Sequence, residues 1–255
     1  AVSWLFAADR LYQLPLGVVG IAVGIVLLPE LSRRLQAGDD AGAKAALSRA
    51  AEISLALTIP SAIALMVIPL TLISVLFERG ASGADDSAAI ATAVMIYGLG
   101  LPAFVLQKIV QPIYFAREDT KRPFYFAVVA MIVNAALAVG LAPWAGWLAP
   151  AIATTVAGWA MYAQLAWGAR GFGDAARVDA RFRKRIWRII AAALVMGAAL
   201  WFANIQLTTL LAVPWWRGLG LLILVSIGAF AYFGAGQLLG AFKLSEFKAA
   251  MRRGS

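Results

Sequence analysis

Long apolar runs separated by short charged stretches set the pattern of this chain. Seven runs reach the roughly 20 residues a helix needs to cross hydrocarbon, near 2–28, 51–77, 88–115, 124–143, 147–168, 186–205 and 218–241. They are continuous rather than alternating, unlike the strands of a closed barrel. Each is therefore read as a helix, which satisfies its backbone polar groups within the segment. The first, second, third and seventh runs exceed the minimum, so tilt, kinks or protruding ends are expected. The pattern predicts an all-α polytopic membrane protein with seven transmembrane helices.

Charge between the runs alternates. Basic residues fill 30–50 (Arg33, Arg34, Lys44, Arg49), 116–123 (Arg117, Lys121, Arg122), 169–185 (Arg170, Arg177, Arg181, Arg183, Lys184, Arg185) and the tail (Lys243, Lys248, Arg252, Arg253). The intervening loops hold only Arg79 and Arg217. The positive-inside rule places the C-terminus in the cytoplasm and Ala1 on the opposite side. Trp4, Trp144, Trp147, Trp215 and Trp216 are expected at the outer boundary, and Tyr114, Tyr125, Trp167 and Trp187 at the inner one. Asp40 is expected to cap a short helix leading into the second run. Leu244, Phe247 and Met251 share one face of the tail, 242–255, which reads as a cytoplasmic interfacial helix.

Composition agrees with the pattern: 62% of residues are hydrophobic, 14% are charged and the mean hydropathy is +0.82. Soluble domains lie nearer half apolar and a quarter charged. The net charge of +9 would suggest a nucleic-acid partner in a soluble protein, but here the cations cluster in loops between spans, so no nucleic-acid partner is expected. The chain has no cysteine and no histidine, which removes disulfides, thiol catalysis and His-centred metal or acid–base sites. Its opening at Ala1 inside a span suggests a piece of a longer protein.

Two charges interrupt the first run. Asp9 and Arg10 would each cost about 2.5–3.5 kcal/mol in hydrocarbon on insertion scales. On a helix, Ser3, Arg10 and Gln13 fall at i, i+7 and i+10 and share one face. Asp9 points about 100° away and can reach Gln13 one turn on. Pro15 and Gly17 predict a kink, and Gly20 and Gly24 form a GxxxG pair suited to close packing. One reading makes the polar stripe the wall of a water-filled cavity, with Arg10 offering its fork of donors to a phosphate or carboxylate. The other pairs Asp9 with a distant partner while Arg10 reaches for the membrane surface. Lys108, followed by Gln111 and Pro112, is a second candidate, although it lies within snorkelling reach of the inner boundary. Asn134, Gln164 and Asn204 read as interhelical hydrogen-bonding groups. The sequence has no HExxH, GxSxG or P-loop motif and no paired-aspartate motif of membrane glycosyltransferases. No catalytic residue, metal site or cofactor is assigned, and Asp85–Asp86 reads as a solvated turn and helix start.

Two segments carry a resemblance. Ala8-Asp9-Arg10-Leu11-Tyr12-Gln13-Leu14-Pro15-Leu16-Gly17, with Gly20-Ile21-Ala22-Val23-Gly24 and Leu27-Leu28-Pro29-Glu30-Leu31-Ser32, resembles the MurJ/MviN family. These are lipid II flippases of bacterial peptidoglycan synthesis, within the MOP transporter superfamily. Tyr114-Phe115-Ala116-Arg117-Glu118-Asp119-Thr120-Lys121-Arg122-Pro123 resembles the family's short cytoplasmic loop.

The resemblance implies a fourteen-helix fold of two lobes plus two extra helices, entered here at the eighth. Residues 1–168 would be five helices of the second lobe, 169–185 a basic cytoplasmic loop, and 186–241 a two-helix groove for the polyprenyl tail. Arg10 matches a cavity arginine thought to bind the diphosphate. Ser3 and Gln13 match cavity-lining positions, some relatives having Glu where this chain has Gln13. The implied mechanism is alternating access in the bacterial inner membrane. The implied partners are lipid II, membrane lipids and an N-terminal lobe not included in these residues. Rival readings are another exporter of the superfamily, for polysaccharide precursors or drugs, an intramembrane polyprenyl-phosphate transferase, and a purely structural membrane subunit.

Overall fold

The computed structural model describes residues 2–22, 27–77, 84–212 and 215–241. Its long helices are α1 (Val2–Ala22), α3 (Asp40–Val67), α5 (Ala84–Phe115), α6 (Lys121–Ala145), α7 (Ala149–Ala169), α8 (Ala180–Gln206) and α10 (Arg217–Leu238). Three short ones intervene, α2 (Leu28–Gln36), α4 (Pro69–Phe77) and α9 (Thr208–Ala212). No strand occurs among the described residues. Among the described residues, five stretches are long and apolar enough to cross a membrane: Asp40–Val67, Asp86–Phe115, Lys121–Gly173, Ala180–Gln206 and Arg217–Leu238. The third holds both α6 and α7, which meet at a tight turn through Gly146. α1 is 21 residues long and carries Asp9, Arg10 and Gln13 among its apolar residues.

The second apolar run differs from its expected form. α3 is one continuous helix from Asp40 to Val67 and absorbs the short helix expected to precede the run. Its cap is Asp39 rather than Asp40, with the Asp39 carboxylate accepting from the Gly42 N–H at 2.8 Å. An uncapped helix start leaves N–H groups unpaired, and an aspartate just before the first turn answers that need. The run then breaks at Ile68, and α4 starts at Pro69, which cannot donate to a preceding carbonyl. The interfacial tail helix expected over 242–255 lies outside the described residues.

α5 is the axis of the bundle. It packs against α1, α3, α4 and α7, while α6 is attached chiefly through α7. On the other side, α8 packs on α3, and α10 packs on α8. Small residues allow these approaches. A Cβ at Gly158 of α7 would lie 2.8 Å from Phe104 Cε1, so the α5 ring occupies the place of a missing side chain. Facing outward, α6 and α10 carry apolar side chains such as Val139, Phe230 and Leu238, as lipid contact requires.

Polar groups between helices are paired across the packing faces. Asn134 Nδ2 donates to Thr154 Oγ1 at 3.2 Å, and Thr71 Oγ1 donates to Asn204 Oδ1 at 2.7 Å, as expected for interhelical amides. Gln164 differs, donating to Ala160 O within its own helix. Gln107 Nε2 reaches Gly158 O at 2.7 Å and links α5 to α7. Tyr114, expected at the inner boundary, is instead fully buried and donates to Leu165 O at 2.6 Å. Phe126 and Phe172 cover its ring, so its hydroxyl finds a carbonyl instead of water. Trp4 and Trp147 also depart from simple anchoring, since they pack edge-to-face at 5.2 Å. Trp144 and Trp215 are almost wholly exposed, as are anchors at a surface.

The arginine-rich end of the bundle is tied across helices. Glu52 of α3 meets Arg185 of α8 at 3.0 Å and Arg181 at 3.8 Å. Beside them, the Asp179 N–H donates to Ser48 Oγ at 2.9 Å. Phe172, after α7, lies 5.0 Å from the Arg117 guanidinium and 5.6 Å from that of Arg122. Arg117 also donates to the Phe172 carbonyl at 3.1 Å. Near α2, Arg34 is held charged above its ordinary range by hydrogen bonds to Glu30 and then Asp39.

Candidate functional site

α1 presents two unlike faces. Ala8, Leu11, Tyr12 and Val19 are buried, with Tyr12 stacked on Tyr97 at 5.1 Å and against Phe104 at 5.8 Å. Trp4 adds a fastening near the start of α5, its indole N–H donating to Asp86 Oδ1 at 2.9 Å. The pairing gives Asp86 a role beyond the solvated helix start expected of it. The other face carries Ser3, Phe6, Arg10, Gln13 and Gly17, all exposed. Helical spacing puts these five within about a quarter of the circumference. Pro15 lies inside the helix between the polar stripe and its glycine-rich end.

The charges on this face are arranged unequally. Asp9, at the edge of the stripe, accepts a hydrogen bond from Gln13 Nε2, the one-turn contact expected from spacing. Arg10 makes no salt bridge among the described residues; its guanidinium carbon lies 4.8 Å from the centre of the Phe6 ring. A guanidinium carries five N–H donors in a plane and no acceptor. One resting on a ring face, with no carboxylate on it, presents those donors to an incoming oxyanion.

Lys108 joins the same helix from α5. Its stem crosses α1 at Gly20, where a Cβ would meet Lys108 Cδ at 3.2 Å, Cε at 3.4 Å and Nζ at 3.6 Å. A glycine at this place lets the lysine lie across the helix. Gly24, the other half of the GxxxG pair, lies outside the described residues. Gly20 is ten residues beyond Arg10, about 15 Å along the axis at 1.5 Å per residue. Lys108 is exposed, and among the described residues it has no salt bridge. Of the five residues singled out from sequence, Ser3, Arg10 and Gln13 share the exposed face of α1, Asp9 is half-buried at its edge, and the exposed Lys108 of α5 reaches α1 at Gly20. The sequence reading passed over Phe6, although the one-turn Phe6–Arg10 spacing was visible. Among the described residues, no cluster of acidic side chains could hold a metal ion.

Known proteins resemble this chain in sequence and in fold. The sequence model of the family described as lipid II flippase MurJ matches residues 1–225. A probable lipid II flippase MurJ of Rhizobium meliloti (strain 1021) is 42% identical, the match covering 100% of this chain and 48% of the relative. One of Vibrio cholerae is 33% identical, covering 98% of this chain and 47% of the relative. The chain thus spans about half the length of the curated relatives it matches. A solved structure titled lipid II flippase MurJ, inward closed conformation, superposes with a TM-score of 0.75 at 24% identity, over 93% of this chain and 46% of that one; that likeness is one of fold. With a family match extending from the polar stripe of α1 into α10, the chain belongs to the MurJ family of multi-pass membrane proteins.

Proposed function

We propose that residues 1–255 form the second half of a lipid II flippase of the bacterial inner membrane, with seven spans and a cytoplasmic C-terminus. In this reading 1–168 is the second-lobe bundle and 186–241 the groove along which the polyprenyl tail stays in lipid. An N-terminal lobe covers the exposed face of α1 and α5. The observation that carries the reading is Arg10: a guanidinium within an apolar helix, exposed, without a salt bridge among the described residues, on a helix that Lys108 crosses at Gly20.

The chemistry follows from charge and geometry. A diphosphate cannot cross hydrocarbon bare, and a guanidinium in a water-lined cavity offers it charge-assisted hydrogen bonds. Ser3 and Gln13 supply polar lining on either side of Arg10, and Lys108 supplies a second cation nearer the cytoplasm. Rocking of two lobes around this surface would expose it to one side of the membrane and then the other. Flipping makes and breaks no covalent bond, so the activity is transport and requires no catalytic residue.

The test is complementation of flippase-depleted bacteria by the whole flippase carrying this segment. Arg10→Gln, which keeps a polar side chain but removes the charge and three of the five N–H donors, is expected to abolish rescue while the protein still accumulates in the membrane. Normal growth at native expression would refute the role of Arg10.

A further inference from the structure

We infer that Phe6 is a positioning residue for Arg10, holding the guanidinium out as an unoccupied oxyanion receptor; this rests on the proposed role of Arg10. Phe6 is 60% exposed and takes no part in any of the apolar clusters of the bundle. It stands in a stripe whose other members are Ser3, Arg10, Gln13 and Gly17. The recorded contact of its ring is the Arg10 guanidinium, 4.8 Å from the ring centre and one helical turn away.

The alternative way to hold an arginine in an apolar helix is a carboxylate, and one is adjacent. Asp9 instead accepts from Gln13 and forms no salt bridge to Arg10. The difference matters for an anion receptor. A carboxylate on Arg10 would occupy its donors and compete with phosphate oxygens. The negative face of an aromatic ring stabilises the cation without taking any N–H. The ring also restricts a long, flexible side chain to one direction, so less rotamer entropy is lost when an anion arrives. Gln13 assists by keeping the Asp9 carboxylate occupied.

The test is equilibrium binding of purified lipid II to the whole flippase in detergent micelles, with complementation as the second readout. Phe6→Leu keeps an apolar side chain but no ring and is expected to weaken binding about fivefold, the scale of ordering one long side chain on binding. Phe6→Trp, a better partner for a cation, is expected to bind at least as tightly as the parent. Pentafluorophenylalanine at position 6 keeps the ring's shape, reverses its quadrupole and is expected to match Phe6→Leu; it serves even if the leucine variant folds poorly. In an Arg10→Gln background the leucine change is expected to have no further effect. Unchanged binding with the fluorinated ring, or equal weakening by leucine and tryptophan, would overturn the inference. If Arg10→Gln alone leaves binding unchanged, the underlying anion-receptor reading fails, and this inference with it. If Arg10→Gln weakens binding and the Phe6 variants do not, only the inference fails.

Discussion

Removing the carboxylate of Glu52 tests how α8 is held to α3. The Glu52 and Arg185 side chains are 11% and 15% exposed and lie 3.0 Å apart, whereas Arg181, at 3.8 Å, is 59% exposed. Breaking a buried pair costs about 3–5 kcal/mol because the surviving charge is stranded. The surviving Arg185 lies near the start of α8 and can turn towards water, which lowers the cost of Glu52→Leu to about 2 kcal/mol. Arg185→Leu leaves Arg181 to serve Glu52 and costs about 1 kcal/mol. Replacing both with leucine removes the buried pair whole, leaves Arg181 in water and returns stability to within about 1 kcal/mol of the parent.

The chain has no cysteine, so a thiol at Ala192, buried in the cluster that α8 forms with α3, reports their separation. N-ethylmaleimide labelling in detergent micelles should be about 30-fold faster for Glu52→Leu and about fivefold faster for Arg185→Leu, at 1.4 kcal/mol per factor of ten. The double variant should label near the parent rate. Equal rates in all four proteins would mean that apolar packing alone holds α8, and the ionic argument would be wrong.

The other predictions test packing and orientation. Gly158→Leu drives a side chain into Phe104, whose Cε1 and Cζ stand 2.8 and 3.0 Å from the new Cβ; overpacking of this kind costs about 1–3 kcal/mol. Its thermal midpoint in detergent should fall, and Phe104→Ala in the same protein should restore part of the loss. Single cysteines at Val178 and Trp144, both exposed, should label with an impermeant maleimide from opposite sides of membrane vesicles, Val178 from the cytoplasmic side.

What could be read from sequence followed the reach of each signal. Periodicity acts within one helix, so the Asp9–Gln13 contact could be drawn from spacing alone, as could the apolar runs that became α3, α5, α6, α7, α8 and α10. Amides in apolar helices seek partners anywhere, which made pairing at Asn134 and Asn204 predictable without naming Thr154 or Thr71. Glu52 and Arg185 are 133 residues apart, and no local pattern says that α3 and α8 will lie side by side. Tyr114 was misplaced for a related reason: aromatic side chains near a helix end usually anchor at the interface, and only the arrival of Phe126 from α6 and Phe172 from beyond α7 converts this one into core. The capping choice between Asp39 and Asp40 depends on backbone angles that adjacent identical residues do not reveal. In the candidate site, the charged members stood out because hydrocarbon penalises them, whereas Phe6 blends with its apolar surroundings until the Arg10 side chain is seen resting on it.

The lysine stem lying across Gly20 has a mechanical consequence. It couples α1 and α5 where their charges are carried, and Trp4, Tyr12 and Tyr97 couple the same two helices further along. The two helices are therefore joined at both ends of α1, at Trp4 and Tyr12 and again at Gly20. Pinned at two separate points along its length, α1 cannot pivot on α5 without breaking one of them.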